Sequence, residues 1–137
     1  MTTERGNMEY LLDTNVCVAM LRDQYGVRNR ILAAGIANCH VSEITIAELF
    51  YGAAKSGRKK HLEEVYNVMN IFGIVPIKEA LEKYGHIKSD LEEAGTRIDD
   101  FDLLIGASAL THNMTLVTHN TKHFARIPNL TMEDWES

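Results

Sequence analysis

The stretch YLLDTNVCVAM, Tyr10 to Met20, carries one charged residue, Asp13, at the point where its pattern changes. The run before it, Met8 to Leu12, is short and mainly apolar, as suits a strand buried on both faces better than a turn of helix. From Asn15 onward, Val16, Met20 and Leu21 recur at helical spacing. Strand followed by helix is the repeating unit of a parallel sheet, and in open sheets of that kind ligands bind outside the carboxyl ends of the strands. Asp13 therefore has a place before it has a role.

Working outward, the same unit recurs. VRNRILAAGI predicts a second short helix stopping near Gly35, and Cys39 to Val41 a second strand. Ile44, Ala47, Leu49, Phe50 and Ala53 fit a helix that fades at Lys55-Ser56-Gly57. RKKHLEEVYNVMNIF is a clearer amphipathic helix, ended by Gly73, and IVPI reads as a third strand. Lys78 to Ala94 repeats the helical pattern up to Gly95-Thr96, DFDLLIGASALTHN is a helix of small residues, TLVT a fourth strand and LTMEDW a fifth at an edge. Strands separated by one or two helices require right-handed crossovers. The expected fold is therefore α/β, a central parallel sheet of four to five strands flanked by helices. No linker or repeat divides it, and one domain over residues 1–137 is expected.

A net charge of −5 in 137 residues gives no general attraction for nucleic acid, leaving only a local basic patch or a metal-mediated phosphate contact. Cys17 and Cys39 both lie in apolar surroundings and read as buried thiols of a reducing compartment rather than a disulfide. MTTERGNMEY lacks the apolar core of a signal peptide, and no apolar run approaches the ~20 residues that cross a bilayer. A cytoplasmic protein with no membrane span is expected.

Glu48, Asp102 and Asn120 belong to the same sheet rim as Asp13 under this topology. Carboxylates gathered without a counter-ion repel: two at ~5 Å cost roughly 3 kcal/mol in an effective dielectric near 20. Their pKa values rise, or a divalent cation fills the gap, and an all-oxygen donor set favours magnesium or manganese. Each residue also has a purely structural reading. Asp13 can cap the helix beginning at Thr14, Asp99 or Asp100 can cap the helix that carries Asp102, and TIAE, Thr45 to Glu48, matches a capping box. Three independent caps need not all be acidic, nor follow strands at one rim.

LLDTN at Leu11 to Asn15, ITIAELFYGA at Ile44 to Ala53, DLLIGASAL at Asp102 to Leu110 and LVTHNTKHF at Leu116 to Phe124 appear in this order, with RIPNLTMEDW near the end. Together they resemble the PIN domain, and more closely the VapC toxins of bacterial and archaeal type II toxin–antitoxin pairs. The resemblance implies a PIN-like three-layer fold and a magnesium- or manganese-dependent ribonuclease. It also implies an RNA substrate, a cognate VapB-type antitoxin and a homodimer. It makes Asp13, Glu48 and Asp102 the metal-binding catalytic acids, with Thr14 and Asn15 beside the first and Thr118 a supporting hydroxyl. Asn120, a fourth catalytic candidate, stands where many members carry a carboxylate, and His123 falls where another acid often lies. The formal charge of the site is then limited to three carboxylates. Two other classes stay open: a PIN fold serving as a binding or assembly module, and a DNA nuclease or phosphatase using the same carboxylates.

Other signals are weaker. Ser108 lies in GASAL, not in a nucleophile elbow, and Cys39-His40 are strand neighbours that face opposite ways. His119 and His123 have the i, i+4 spacing of a zinc pair, but follow a strand. Lys122, His123 and Arg126 are candidates for RNA contact, and GRKKH, Gly57 to His61, a fainter one. Val16, Phe50 and Tyr51 are either ordinary core or part of a groove that takes an antitoxin helix or a second subunit.

Overall fold

The computed structural model describes residues 8–136. Five strands form one sheet: β1 Tyr10–Leu12, β2 Cys39–Ser42, β3 Gly73–Val75, β4 Thr115–Val117 and β5 Met132–Glu133. Their order is β3-β2-β1-β4-β5, and each neighbouring pair is parallel. Seven α-helices are described: α1 Thr14–Leu21, α2 Val27–Ala34, α3 Glu43–Ser56, α4 Lys59–Ile71, α5 Leu81–Ala94, α6 Asp100–Thr111 and α7 Thr121–Phe124. Short 3-10 turns at Ile36–Asn38 and Lys78–Ala80 precede β2 and α5.

Alternation along β1 explains the layers. Leu11 and Leu12 point to opposite faces and both are fully buried. Leu12, Val41 and Val117 pack with Val16, Val27, Ile31, Val65 and Val68 from α1, α2 and α4. Leu11 and Leu116 pack with Leu91, Leu103 and Ile105 from α5 and α6. Each buried leucine contributes about 1.5–3 kcal/mol. The small residues of α6 permit close approach: a Cβ added at Gly106 would lie 2.5 Å from Ile127 Cδ1.

Several boundaries differ from those read in the sequence. The first strand begins at Tyr10, not Met8. The third is Gly73–Val75 rather than Ile74 to Ile77, because Pro76 has no N–H to give the ladder. Helix α3 begins at Glu43, and the side chain of Ser42 caps it by accepting from Ile44 N at 3.0 Å. TIAE is therefore not a capping box. Val16 is core rather than groove; Phe50 is half-buried against the Tyr66 ring, and Tyr51 is exposed. Both cysteines are free and buried. Among the described residues, no helix is long and apolar enough to cross a membrane.

From β1 the chain builds outward to β2 and β3, then crosses back to lay β4 and β5 on the other side. The crevice between the carboxyl ends of β1 and β4 is thus the switch point of the sheet. Asp13 follows β1 directly, and Thr118 follows β4.

Candidate functional site

Asp13 closes the switch point. Its N–H donates to Val117 O at 2.9 Å, extending the ladder by one bond, and its side chain is only 6% exposed. Oδ1 accepts from Thr14 N at 2.8 Å and Oδ2 from the fully buried Thr118 hydroxyl at 2.9 Å. The cap reading therefore holds for one carboxylate oxygen, and the other is held from the opposite strand. The Thr118 oxygen in turn accepts from Asn120 N at 3.0 Å, which leaves its one proton for Asp13.

Thr14 joins the first acid to the second. Its N–H serves Asp13, while its hydroxyl donates to Glu48 Oε1 at 2.6 Å. Thr45 Oγ1 lies 3.0 Å from Thr14 Oγ1. Since the Thr14 proton is committed to the carboxylate, Thr45 must donate, giving the chain Thr45 to Thr14 to Glu48. Sequence reasoning placed Thr45 in a cap. The signal for its actual role was a hydroxyl inside the otherwise apolar ITIAELF, where a fully buried oxygen needs a partner.

Three aspartates open α6 and divide the work. Asp99 caps the helix, accepting from Phe101 N at 3.1 Å. Asp100 is turned to solvent, where Lys88 at 3.0 Å and the Tyr84 hydroxyl at 2.9 Å hold its carboxyl below the ordinary range. Asp102 is left facing the site. Its Oδ2 lies 3.2 Å from His123 Nε2, but the approach is poorly angled and that buried nitrogen has no hydrogen-bond partner.

The electrostatics follow from burial without a cation. Desolvation raises the Asp13 carboxyl, against the lowering effects of the Thr118 and Thr14 donors and of His123. Desolvation also raises Asp102, and the charges of Asp13, Asp99 and Glu48 add to it while His123 opposes. The acids are thus close enough to feel one another. They do not form a closed cage: among the described residues, no three acidic, histidine or cysteine side chains are drawn together tightly enough to enclose an ion. Oxygen-only donors, two of them raised carboxyls short of positive charge, fit a hard divalent cation of the magnesium or manganese kind.

Two depressions flank the acids. One, of about 470 Å³, is lined by Asp13, Asn15 and Asn120 with Gln24, Tyr25 and Glu136 among its walls. The other, about 660 Å³, runs from Thr14 and Glu48 to Arg22, Lys60 and His61. The GRKKH run, the fainter candidate for RNA contact, reaches a groove that starts at Glu48. A third depression, about 900 Å³ beside α5 and α6, shares no residue with the acidic rim and is lined by Arg126, whose guanidinium donates to Arg97 O. Arg126 thus faces away from the acidic rim. Lys122 is exposed on α7. His119 and His123 address different carboxylates, His119 facing Asp134 at 3.1 Å, so they do not make a zinc pair. Burial pushes the Cys39 thiol up to about 11 and Cys17 higher still, which removes both as thiolate nucleophiles. Ser108 donates to Leu104 O inside its helix.

Comparison with known proteins gives the family. Residues 10–130 match the PIN domain family. Ribonuclease VapC2 of Rickettsia felis is 37% identical over 134 residues, spanning 94% of this chain and 99% of that protein. The tRNA(fMet)-specific endonuclease VapC of Salmonella typhimurium is 30% identical, spanning 93% and 98%. Among solved structures, VapBC2 from Rickettsia felis bound to a DNA fragment from its promoter superposes with a TM-score of 0.86 at 36% identity, covering 93% of this chain and 99% of that one. DNA-bound VapBC from Salmonella typhimurium gives 0.87 at 29%, covering 93% and 98%. The chain belongs to the PIN domain family, within its VapC group.

Proposed function

We propose that this chain is a magnesium- or manganese-dependent endoribonuclease, the cytoplasmic toxin of a toxin–antitoxin pair. The observation that carries the proposal is Asp13 at the switch point, buried and fixed by Thr118 and Thr14 beside Asp102 and Glu48. Asp13, Glu48 and Asp102 are the residues that hold the metal. When bound, the ion supplies an activated water and charge relief at the phosphoryl group. The protein's own part is positional. Thr118 and Thr14 set the Asp13 carboxylate, the Thr45 to Thr14 chain sets Glu48, and the Asn120 amide at the rim offers one uncharged oxygen.

The related solved structures are DNA-bound VapBC, which supports a VapB-type antitoxin as partner here. Leu32, Ile36 and Ile71, exposed around an apolar depression with Met20, Ile31 and Phe72, provide a surface that an apolar helix face would cover. A homodimer is the proposed state of the toxin. Cleavage assays on RNA, DNA and small phosphoesters with either metal test the reading: RNA alone should be cut. Equal cutting of DNA, or no cutting of RNA, sinks it.

A further inference from the structure

The depression that contains Asp13 is walled by Tyr25 and by His119, whose imidazole faces Asp134; nothing in the acidic site accounts for Tyr25. The residue is 60% exposed, and its backbone is left-handed with φ +61°, a conformation bulky side chains rarely adopt. Asp23 is also left-handed at +52° and Gly26 at +69°, so three of four residues in this turn are held in that region. The turn is nevertheless braced. Gln24 N donates to Ala19 O at 2.8 Å, and Arg28 donates to Met20 O at 2.7 Å and Leu21 O at 3.2 Å. Strain kept in place by surrounding structure, presenting an exposed aromatic beside catalytic acids, has a functional signature.

We propose that Tyr25 is a stacking platform for one unpaired base of the RNA substrate, a positioning residue that seats the nucleotide next to the phosphate at Asp13. The inference rests on the ribonuclease reading above. The volume, about 470 Å³, lies within the range of small-molecule pockets. Its walls select the occupant. Asn15, Gln24 and Asn120 bring amides that match base edges, and Ala19 is the sole aliphatic lining residue, which leaves little for an apolar helix of a protein partner. The Glu136 carboxylate adds an acceptor for a base with an amino edge. Stacking on an aromatic ring is the general way proteins hold unpaired bases.

The test uses the full-length protein with Tyr25→Ala, Tyr25→Asn and Tyr25→Phe. With short single-stranded RNA and magnesium, Ala and Asn should lower kcat/KM ten- to hundredfold, mainly through KM, while Phe stays within about threefold of wild type. Asparagine tolerates the left-handed region, so Tyr25→Asn should melt at or above wild type, separating lost stacking from lost fold. Quenching of 2-aminopurine placed in the same RNA, with calcium in place of magnesium so that binding is read apart from cutting, reports the stack. It should appear with wild type and Phe and vanish with Ala. Wild-type kcat/KM and quenching in Tyr25→Ala overturn the inference, as does a Phe variant no better than Ala. A wild type that quenches but cuts no RNA contradicts the ribonuclease reading instead and leaves the base site standing.

Discussion

Asp13 is asked to be unstable and useful at once. Its carboxyl is held above the ordinary 3.8, chiefly by burial, so it binds its proton more tightly folded than unfolded. Between those two values the native state carries more protons, and stability falls as pH rises through the window. Metal-free Asp13→Asn should therefore melt higher than wild type at pH 7, with the gap narrowing as the pH falls through that window and closed below 3.8. The same variant should lose activity on the order of a hundredfold or more. Calorimetry and cleavage on one preparation check both signs; a variant that melts lower and cuts less is merely damaged. Asn120 tests the charge side of the argument. Exposed and uncharged, it should matter less than Asp13, so Asn120→Ala loses less activity and regains some at higher metal concentration. Asn120→Asp should bind manganese more tightly in a calorimetric titration. Unchanged affinity in Asn120→Asp, with binding abolished in Asn120→Ala, would assign Asn120 a geometric duty instead.

The elements exist to aim these residues, and α3 shows how. Ser42, fully buried, caps it, and the helix then carries Thr45 and Glu48 one turn further on. Ser42→Ala should cost about 1 kcal/mol, a drop of about 3 °C in Tm, and loosen the aim of Glu48. An unchanged Tm would mean Ser42 is not the cap that matters. Thr14→Val should leave the Asp13 cap intact, because that uses the backbone N–H, yet strand Glu48 and Thr45 without their shared hydroxyl; activity should fall about tenfold with shape retained. Much of this was legible in the sequence. The change of period at Asp13 gave the strand-to-helix unit, and the apolar runs gave the parallel sheet and its rim. The local start of α3 was not, because TIAE satisfies a cap pattern as well as Ser42 does and only burial decides between them. Nor was His123 against Asp102, or Arg126 turned toward Arg97, since neither spacing nor charge fixes the direction of a side chain after a strand. Tyr25 carried no signal beyond a tyrosine before a glycine.

At the scale of the molecule, a small acidic chain is proposed to act on an acidic polymer, which the net charge of −5 alone would oppose. The answer offered is local: a cation between carboxylates at the switch point, with Arg22 and Lys60 along the groove from Glu48. Sedimentation at micromolar concentration should show a dimer without antitoxin; a monomer throughout would remove the proposed paired arrangement and leave the single site untouched. The most direct test is a single assay of RNA cleavage at neutral pH with magnesium, repeated after chelation and repeated again with Asp13→Asn. Cutting in the first case, with near-complete loss in the other two, is the expected result. Full-rate cutting by the chelated enzyme or by Asp13→Asn would contradict a metal held by these carboxylates.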